Sequence, residues 1–250
     1  MYACICCQVY QHNIYAEGSK FHSFKKVMTE MGAPYSGLEV ASFMTCSKGY
    51  MGECGIRGGY AEVINMDPGV MAMLQKSISA KLCPTVIGQA CMDVVVNPPR
   101  PGEPSFETFD AEVKGTLASY AERAKLVADT LNSIPVSLNL LSTRFFLFSY
   151  CSFRQGISCN TVQGAMYAFP QIKFPEAALA AAKEAGQPAD VFYAFHLLEA
   201  TGICIIPGSG FGQQPGTFHF RTTILPQKEM IKEMLGRLKE FHMKFMAEHS

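Results

Sequence analysis

The segment Thr45-Cys46-Ser47-Lys48-Gly49-Tyr50-Met51-Gly52-Glu53-Cys54-Gly55-Ile56-Arg57-Gly58-Gly59-Tyr60 gathers an amine, a guanidinium and hydroxyls in one glycine-rich stretch. A lysine amine can condense with an aldehyde and, once released, can carry a proton. Arg57 offers two parallel N–H donors to an oxyanion such as phosphate, and the Thr45 and Ser47 hydroxyls can add to that grip. The glycines let the backbone turn tightly between them. Two other segments carry polar groups of interest. Cys7-Gln8-Val9-Tyr10-Gln11 places a phenol 38 residues before the lysine (48 − 10 = 38). Gly208-Ser209-Gly210-Phe211-Gly212 precedes Thr217-Phe218-His219-Phe220-Arg221, and an arginine there suits a planar carboxylate. Each segment alone also has a plain reading: a solvated glycine-rich loop, an ordinary turn, a surface arginine on a strand.

The elements that must hold these residues alternate between strand and helix. Leu38–Phe43 reads as a strand running into the Thr45–Tyr50 turn, and Tyr60–Asn65 as another after Gly58-Gly59. Asp67 caps a helix with Pro68 in its first turn, predicted to run to about Lys81 and to stop before Pro84. A second helix covers Gly88 to Val96 and ends at Asn97-Pro98-Pro99. Arg100–Pro104 is a linker, and after it Phe106, Phe109, Val113, Leu117, Ala121, Ala124 and Leu131 mark a long amphipathic helix. Helices follow Pro175 and Pro188, with Gly186 and Gly202 as stop signals. Ile203–Ile206 and Thr217–Leu225 read as strands. A last helix from about Gln227 buries Ile231, Met234, Leu235, Leu238, Phe241 and Phe245. The style changes near residue 100, which implies two domains or lobes.

Composition narrows the function classes. Apolar residues are 48% and charged residues 17% of the 250, as expected for a folded globular chain. The 21 basic and 21 acidic residues balance, and no basic stripe with interleaved aromatics points to nucleic acid. Such a balance also argues against electrostatic docking to a membrane. The apolar run from Ile134 to Phe153 is interrupted by Pro135, Asn139 and Arg144 and makes a poor membrane span. The opening MYACICCQVY lacks the basic segment of a signal peptide. Ten cysteines are present, and Cys4 to Cys7 is formally C-x-x-C, but no second pair follows at zinc-site spacing, so no metal is expected. Reduced thiols in a cytoplasmic compartment are the expectation.

In this order, the three segments resemble the class I pyridoxal-phosphate-dependent aminotransferases. Phe21-His22-Ser23-Phe24-Lys25-Lys26, Gly88-Gln89-Ala90, Val95-Val96-Asn97-Pro98-Pro99, Gln163-Gly164-Ala165-Met166-Tyr167-Ala168-Phe169-Pro170 and Thr201-Gly202-Ile203-Cys204 read like the alanine-specific branch of that family. The resemblance covers nearly the whole chain. It implies an α/β fold: the C-terminal part of the fold type I large domain over 1–100, then a linker helix and the smaller α/β C-terminal domain over 101–250. It implies that Lys48 forms the Schiff base with pyridoxal 5'-phosphate and moves the α-proton. Thr45, Ser47 and Arg57 would bind the cofactor phosphate, Tyr10 its ring hydroxyl, and Arg221 the substrate α-carboxylate. The implied reaction passes an amino group between L-alanine and 2-oxoglutarate, giving pyruvate and L-glutamate, in a homodimer with active sites at the subunit interface. A mitochondrial origin stays open beside the cytoplasmic one, because the region where a leader would sit precedes this sequence.

Three departures from the family pattern bear on activity. Family chains are about twice as long, and their upstream half carries a phosphate loop, a ring-stacking aromatic and an asparagine not found before Cys7. Cys7 occupies the position of an aspartate that keeps the cofactor's pyridine nitrogen protonated, and a thiol is a poor replacement. Losing a buried ion pair costs roughly 3–5 kcal/mol, which on the transition state slows a reaction about a hundred-fold or more. Finally, Val136–Gln155 (VSLNLLSTRFFLFSYCSFRQ) interrupts the place where the family passes from Ile134-Pro135 to Gly156-Ile157-Ser158. A surface insertion should be polar, and this one is rich in leucine and phenylalanine. We read it as translated intron sequence, with a lineage-specific loop as the alternative; an uninterrupted exon across both edges would refute the intron. Two alternatives to the leading function remain: a non-catalytic fragment or mis-spliced product of such a gene, and an aminotransferase with another amino donor.

Overall fold

The computed structural model describes residues 4–134 and 156–250, so the Val136–Gln155 segment lies outside the described residues. The chain divides by its contacts into two units, Met1–Ala118 and Ser119–Ser250. The division falls inside the long helix, past the Arg100–Pro104 linker.

In the first unit, β1 (Cys4–Cys7) pairs in parallel with β2 (Val40–Thr45), and β2 pairs antiparallel with β3 (Gly59–Ile64). Between β1 and β2 lies α1 (Phe24–Met31), whose cap Ser23 accepts a hydrogen bond from the Lys26 backbone N–H. Its Met28 packs with Cys6 and Val40 in a small core. The strand alternation puts Cys4 and Cys6 on one face, with their Sγ atoms 3.0 Å apart, and Cys7 on the other. The C-x-x-C spacing therefore does not converge, and no cluster of three metal-ligating side chains occurs among the described residues.

After β3, α2 (Pro68–Ser79) starts as the sequence requires: the Asp67 carboxylate accepts from the backbone N–H of Gly69 and Val70, with Pro68 at the first helical position. The helix ends at Ser79 rather than Lys81. Next, α3 (Val86–Val96) begins two residues before Gly88, because the Thr85 hydroxyl caps it by accepting from the Gly88 N–H. No helix among the described residues is long and apolar enough to cross a membrane.

The predicted long helix is α4 (Phe106–Asn132). Its buried positions are Ala124, Val127, Ala128 and Leu131. The more N-terminal members of the sequence stripe, Phe106 to Ala121, are only half-buried.

The second unit holds an antiparallel sheet of short strands: β4 (Ile157–Ser158), β5 (Tyr167–Ala168), β6 (Gln171–Ile172), β7 (Ile206–Pro207) and β8 (Phe218–Thr223). β8 pairs with β5, β6 and β7, and β4 pairs with β6. The expected strand over Ile203–Ile206 is corrected here. Ile203 and Ile205 are buried without ladder pairing, and only Ile206–Pro207 joins the sheet, because the chain then bends at once into a 3-10 turn over Gly208–Phe211.

Around this sheet lie α5 (Glu176–Glu184), α6 (Ala189–Thr201) and α7 (Lys228–Glu248). α7 begins after Gln227 and buries Ile231, Leu235, Leu238, His242, Phe245 and Met246. Met234 and Phe241, expected in the core, sit at its half-buried edge. Tyr193 from α6 packs against Phe241 and Phe245, and its hydroxyl lies 3.1 Å from Nδ1 of the buried His242.

Burial pushes the His242 pKa down to about 4, from an ordinary value of 6.5. The folded state thus favours the neutral ring beside the Tyr193 hydroxyl, while the unfolded chain takes up a proton below about pH 6.5. Stability from this group is fully present above that pH and is lost as pH falls toward 4. Between pH 7 and pH 5 the loss is expected at about 2 kcal/mol. Urea unfolding followed at both pH values checks it, and His242→Gln should flatten the difference.

Candidate active site

The site is built upward from the β2–β3 connection. Thr45 ends β2 and Gly59 opens β3, directly opposite each other in the ladder, so residues 46–58 form a closed excursion from the sheet. Its interior is tied by backbone bonds from Cys46 N to Gly58 O and from Glu53 N to Cys46 O, at 3.2 and 2.9 Å. The Cys54 thiol donates to the Ser47 carbonyl at 3.0 Å. These bonds hold Ser47 and Lys48 in a defined turn rather than a solvated loop.

Thr45 and Ser47 act as a pair. Thr45 Oγ1 donates to the Gly58 carbonyl at 2.9 Å, accepts from the Ser47 N–H at 3.1 Å, and lies 3.1 Å from Ser47 Oγ. Arg57 has a positive φ of 62°, its side chain is exposed, and it donates through Nη1 to the Cys54 carbonyl at 2.9 Å. Lys48 is half-buried, and its amine has no hydrogen-bond or ion-pair partner among the described residues.

Tyr10 stands in the turn after β1, closed by the Asn13 N–H donating to the Tyr10 carbonyl at 3.0 Å. A methyl group at Gly49 would sit 3.4 Å from Asn13 Oδ1 and 3.6 Å from the Val9 carbonyl. The turn of Tyr10 and the turn of Lys48 therefore lie against each other. Asn13 is fully buried, donates to the Tyr15 hydroxyl at 3.0 Å, and leaves its Oδ1 unpartnered among the described residues. Nothing in the sequence pattern singled out this side chain, since an asparagine in a turn is commonplace. Cys7, at the end of β1, is exposed and shares a sheet face with Phe43, its register partner.

Arg57 and Gly58 also depend on a distant element. A Cβ on Gly58 would fall 2.6 Å from the Gly88 carbonyl oxygen, and one on Gly88 would fall 3.2 Å from the Arg57 carbonyl. The start of α3 is thus pressed onto the backbone that aims Arg57, a contact only glycines permit. Gly58→Ala is expected to force the two backbones apart and to destabilise by roughly 1–3 kcal/mol. Urea unfolding of the two proteins checks the effect.

The remaining candidate, Arg221, belongs to the second unit, on β8. It is half-buried, with its guanidinium 4.7 Å from the ring centre of Tyr167 and 4.9 Å from that of Phe211. Among the described residues no carboxylate pairs with it. Tyr167 also lines an open cavity of about 620 Å³ with Asn160, Gln163, Gly164 and Phe169.

The fold is that of the fold type I aminotransferases. An alanine aminotransferase from Pyrococcus furiosus superposes with a TM-score of 0.69 over 96% of this chain and 49% of its own, at 21% identity. An engineered aspartate aminotransferase from Thermus thermophilus gives a TM-score of 0.62 over 95% of this chain and 50% of its own, at 20% identity. No family model matches the chain. Direct sequence comparison is more specific: alanine aminotransferase 2 of Xenopus tropicalis is 54% identical over 97% of the chain and 43% of its own length. Human alanine aminotransferase 1 is 51% identical over 97% of the chain and 45% of its own. The chain therefore belongs to the alanine aminotransferase family, and it spans under half the length of the curated relatives it matches. Membership in this family implies use of pyridoxal phosphate.

The donor set on the β2–β3 turn fits that group. An unpartnered, half-buried amine, an exposed guanidinium and two adjacent hydroxyls are the kinds of group a phosphorylated aldehyde calls for.

Proposed function

We propose that this chain carries the cofactor-lysine and carboxylate-arginine parts of an aminotransferase that moves an amino group between L-alanine and 2-oxoglutarate, giving pyruvate and L-glutamate. Residues 1–100 would form part of the cofactor-binding large domain, and residues 101–250 the linker helix and small domain. The observation that supports the reading is the hydrogen-bonded turn between β2 and β3, one short stretch that carries Thr45, Ser47, Lys48 and Arg57. Pyridoxal phosphate, when bound, supplies an electron-accepting ring that stabilises the carbanion left by α-proton removal.

Each residue has one task in this proposal. Lys48 Nζ anchors the cofactor aldehyde and, when displaced by the substrate amine, takes the α-proton and returns it elsewhere. Arg57 and the Thr45–Ser47 pair grip the phosphate. The Tyr10 phenol orients the ring hydroxyl. Arg221 accepts the planar carboxylate that the amino acid and the oxo acid share, so one side chain serves both halves of the exchange. A homodimer suits the exposed apolar side chains of Val70, Met73, Ile78, Val86 and Ile87, which a partner surface would cover.

Purified chain supplied with pyridoxal phosphate, L-alanine and 2-oxoglutarate should form pyruvate and L-glutamate in equal amounts. A panel of other amino donors tests the alternative in which the donor is not alanine. A second reading, a chain that folds without transferring amino groups, is favoured by the thiol of Cys7 at the aspartate position. It expects cofactor uptake with no pyruvate.

A further inference from the structure

We propose that Tyr167 and Phe211 are positioning residues that clamp the guanidinium of Arg221 for a carboxylate, and that the buried carboxylate of Asp190 holds the clamp closed. This deepens the preceding reading and rests on its assignment of Arg221.

The clamp is assembled from separate elements. Tyr167 lies on β5, which pairs with β8 two residues beyond Arg221, at Thr223. Phe211 lies on the 3-10 turn that follows β7, and β7 pairs with β8 at Arg221 itself. Both rings stand within cation–π distance of the same guanidinium carbon. Two rings this close to the guanidinium carbon restrict how the group can swing, and its paired N–H donors are what a carboxylate engages side by side. A half-buried arginine with no acid beside it among the described residues is available for an outside anion. Tyr167 also forms a wall of the open cavity, so the clamp borders a space a small oxo acid could enter.

Asp190 explains why the turn stays in place. It is 2% exposed in the first turn of α6. Its Oδ2 accepts from the Ser209 N–H at 2.6 Å and from Gln213 Nε2 at 3.0 Å, and its Oδ1 accepts from the Val191 N–H at 3.1 Å. Gln213 Oε1 in turn accepts from the His219 N–H at 2.9 Å, which ties the turn back to β8. Phe211 sits between the two residues that Asp190 holds. Phe169 packs edge-on to Phe211 at 5.6 Å and stacks on His219 at 5.1 Å, closing the cluster from the β5 side. Two of the three bonds to this buried carboxylate come from the turn and the third from the Val191 N–H of α6, so Asp190 ties the turn that carries Phe211 to that helix.

The test reads arginine reactivity on the full chain, independently of catalysis. The chain is treated with phenylglyoxal, and modification of Arg221 is timed by peptide mass, with the exposed Arg100 as internal reference. Phe211→Leu, Tyr167→Ala and Asp190→Leu are each expected to speed modification of Arg221 relative to Arg100 about fivefold, the worth of one ordinary cation–π contact. Tyr167→Phe keeps the ring and should match the wild type. Asp190→Leu removes both acceptor oxygens while keeping most of the bulk, so the Ser209 N–H and Gln213 lose the bonds that hold the turn. Sodium pyruvate should slow modification of Arg221 in the wild type and lose most of that protection in the three loosening variants. Unchanged Arg221 rates in all three variants would overturn the clamp while pyruvate protection leaves the carboxylate reading standing. Failure of pyruvate to protect wild-type Arg221 would instead overturn the assignment of Arg221, and the proposed role of the clamp with it.

Discussion

Lys48→Ala is expected to abolish borohydride-fixed incorporation of pyridoxal phosphate and to lower pyruvate formation by about a thousand-fold or more. The amine has two tasks in the proposed reaction, and alanine performs neither. Loss of the proton carrier alone is worth about a hundred- to ten-thousand-fold in comparable reactions. The structure gives the variant a clean interpretation. Lys48 makes no bond that supports the turn, which is held by Cys46, Ser47, Glu53, Cys54 and Gly58. Its removal should leave folding intact, and circular dichroism should be unchanged. Peptide mass after borohydride reduction identifies the labelled residue. Label on any other lysine in the wild type, or undiminished label in Lys48→Ala, would remove this residue from the reaction.

Cys7→Asp is expected to do the opposite and raise the rate on the order of a hundred-fold, falling toward tenfold to the extent that water screens the new charge. A carboxylate at the end of β1 can accept a charge-assisted bond from a protonated ring nitrogen, whereas a thiol is a weak acceptor. Position 7 accommodates the change: it is exposed, and its strand neighbours Cys6 and Gln8 point to the opposite, buried face. The substitution should therefore cost little stability. Initial rates, together with equilibrium dialysis of pyridoxal phosphate against both proteins, check the effect. Equal rates and equal retention in the two would show that position 7 does not contact the ring.

Much of this architecture is legible in the chain, and the reasons differ by element. α2 is announced by Asp67 and Pro68 because capping is a local transaction between neighbours. α7 is announced by its apolar stripe because 21 residues give the period time to repeat. β5 and β6 are two residues each, too short for alternation to register, and they exist because β8 pairs with them. α1 is one short amphipathic piece whose single buried residue, Met28, gives no repeating pattern to read. The same division runs through the site. Lys48, Arg57 and Tyr10 stand out in the sequence because their segments are distinctive. Asp190 and Asn13 do not, since the partners of Asp190 lie 19 and 23 residues onward and Asn13 meets Gly49 only when two turns come together. His242 was hidden inside an otherwise apolar stripe, where its value depends on the Tyr193 hydroxyl from another helix.

The contact between Gly58 and Gly88 bears on how inherited variation in such a gene should be interpreted. An allele altering residue 88 would look like a remote change in a helix, yet under the proposed role of Arg57 its defect would be one of vitamin-derived cofactor retention. By mass action, saturating cofactor would mask it in a routine assay. Only measurement at limiting pyridoxal phosphate would separate that allele from a silent one.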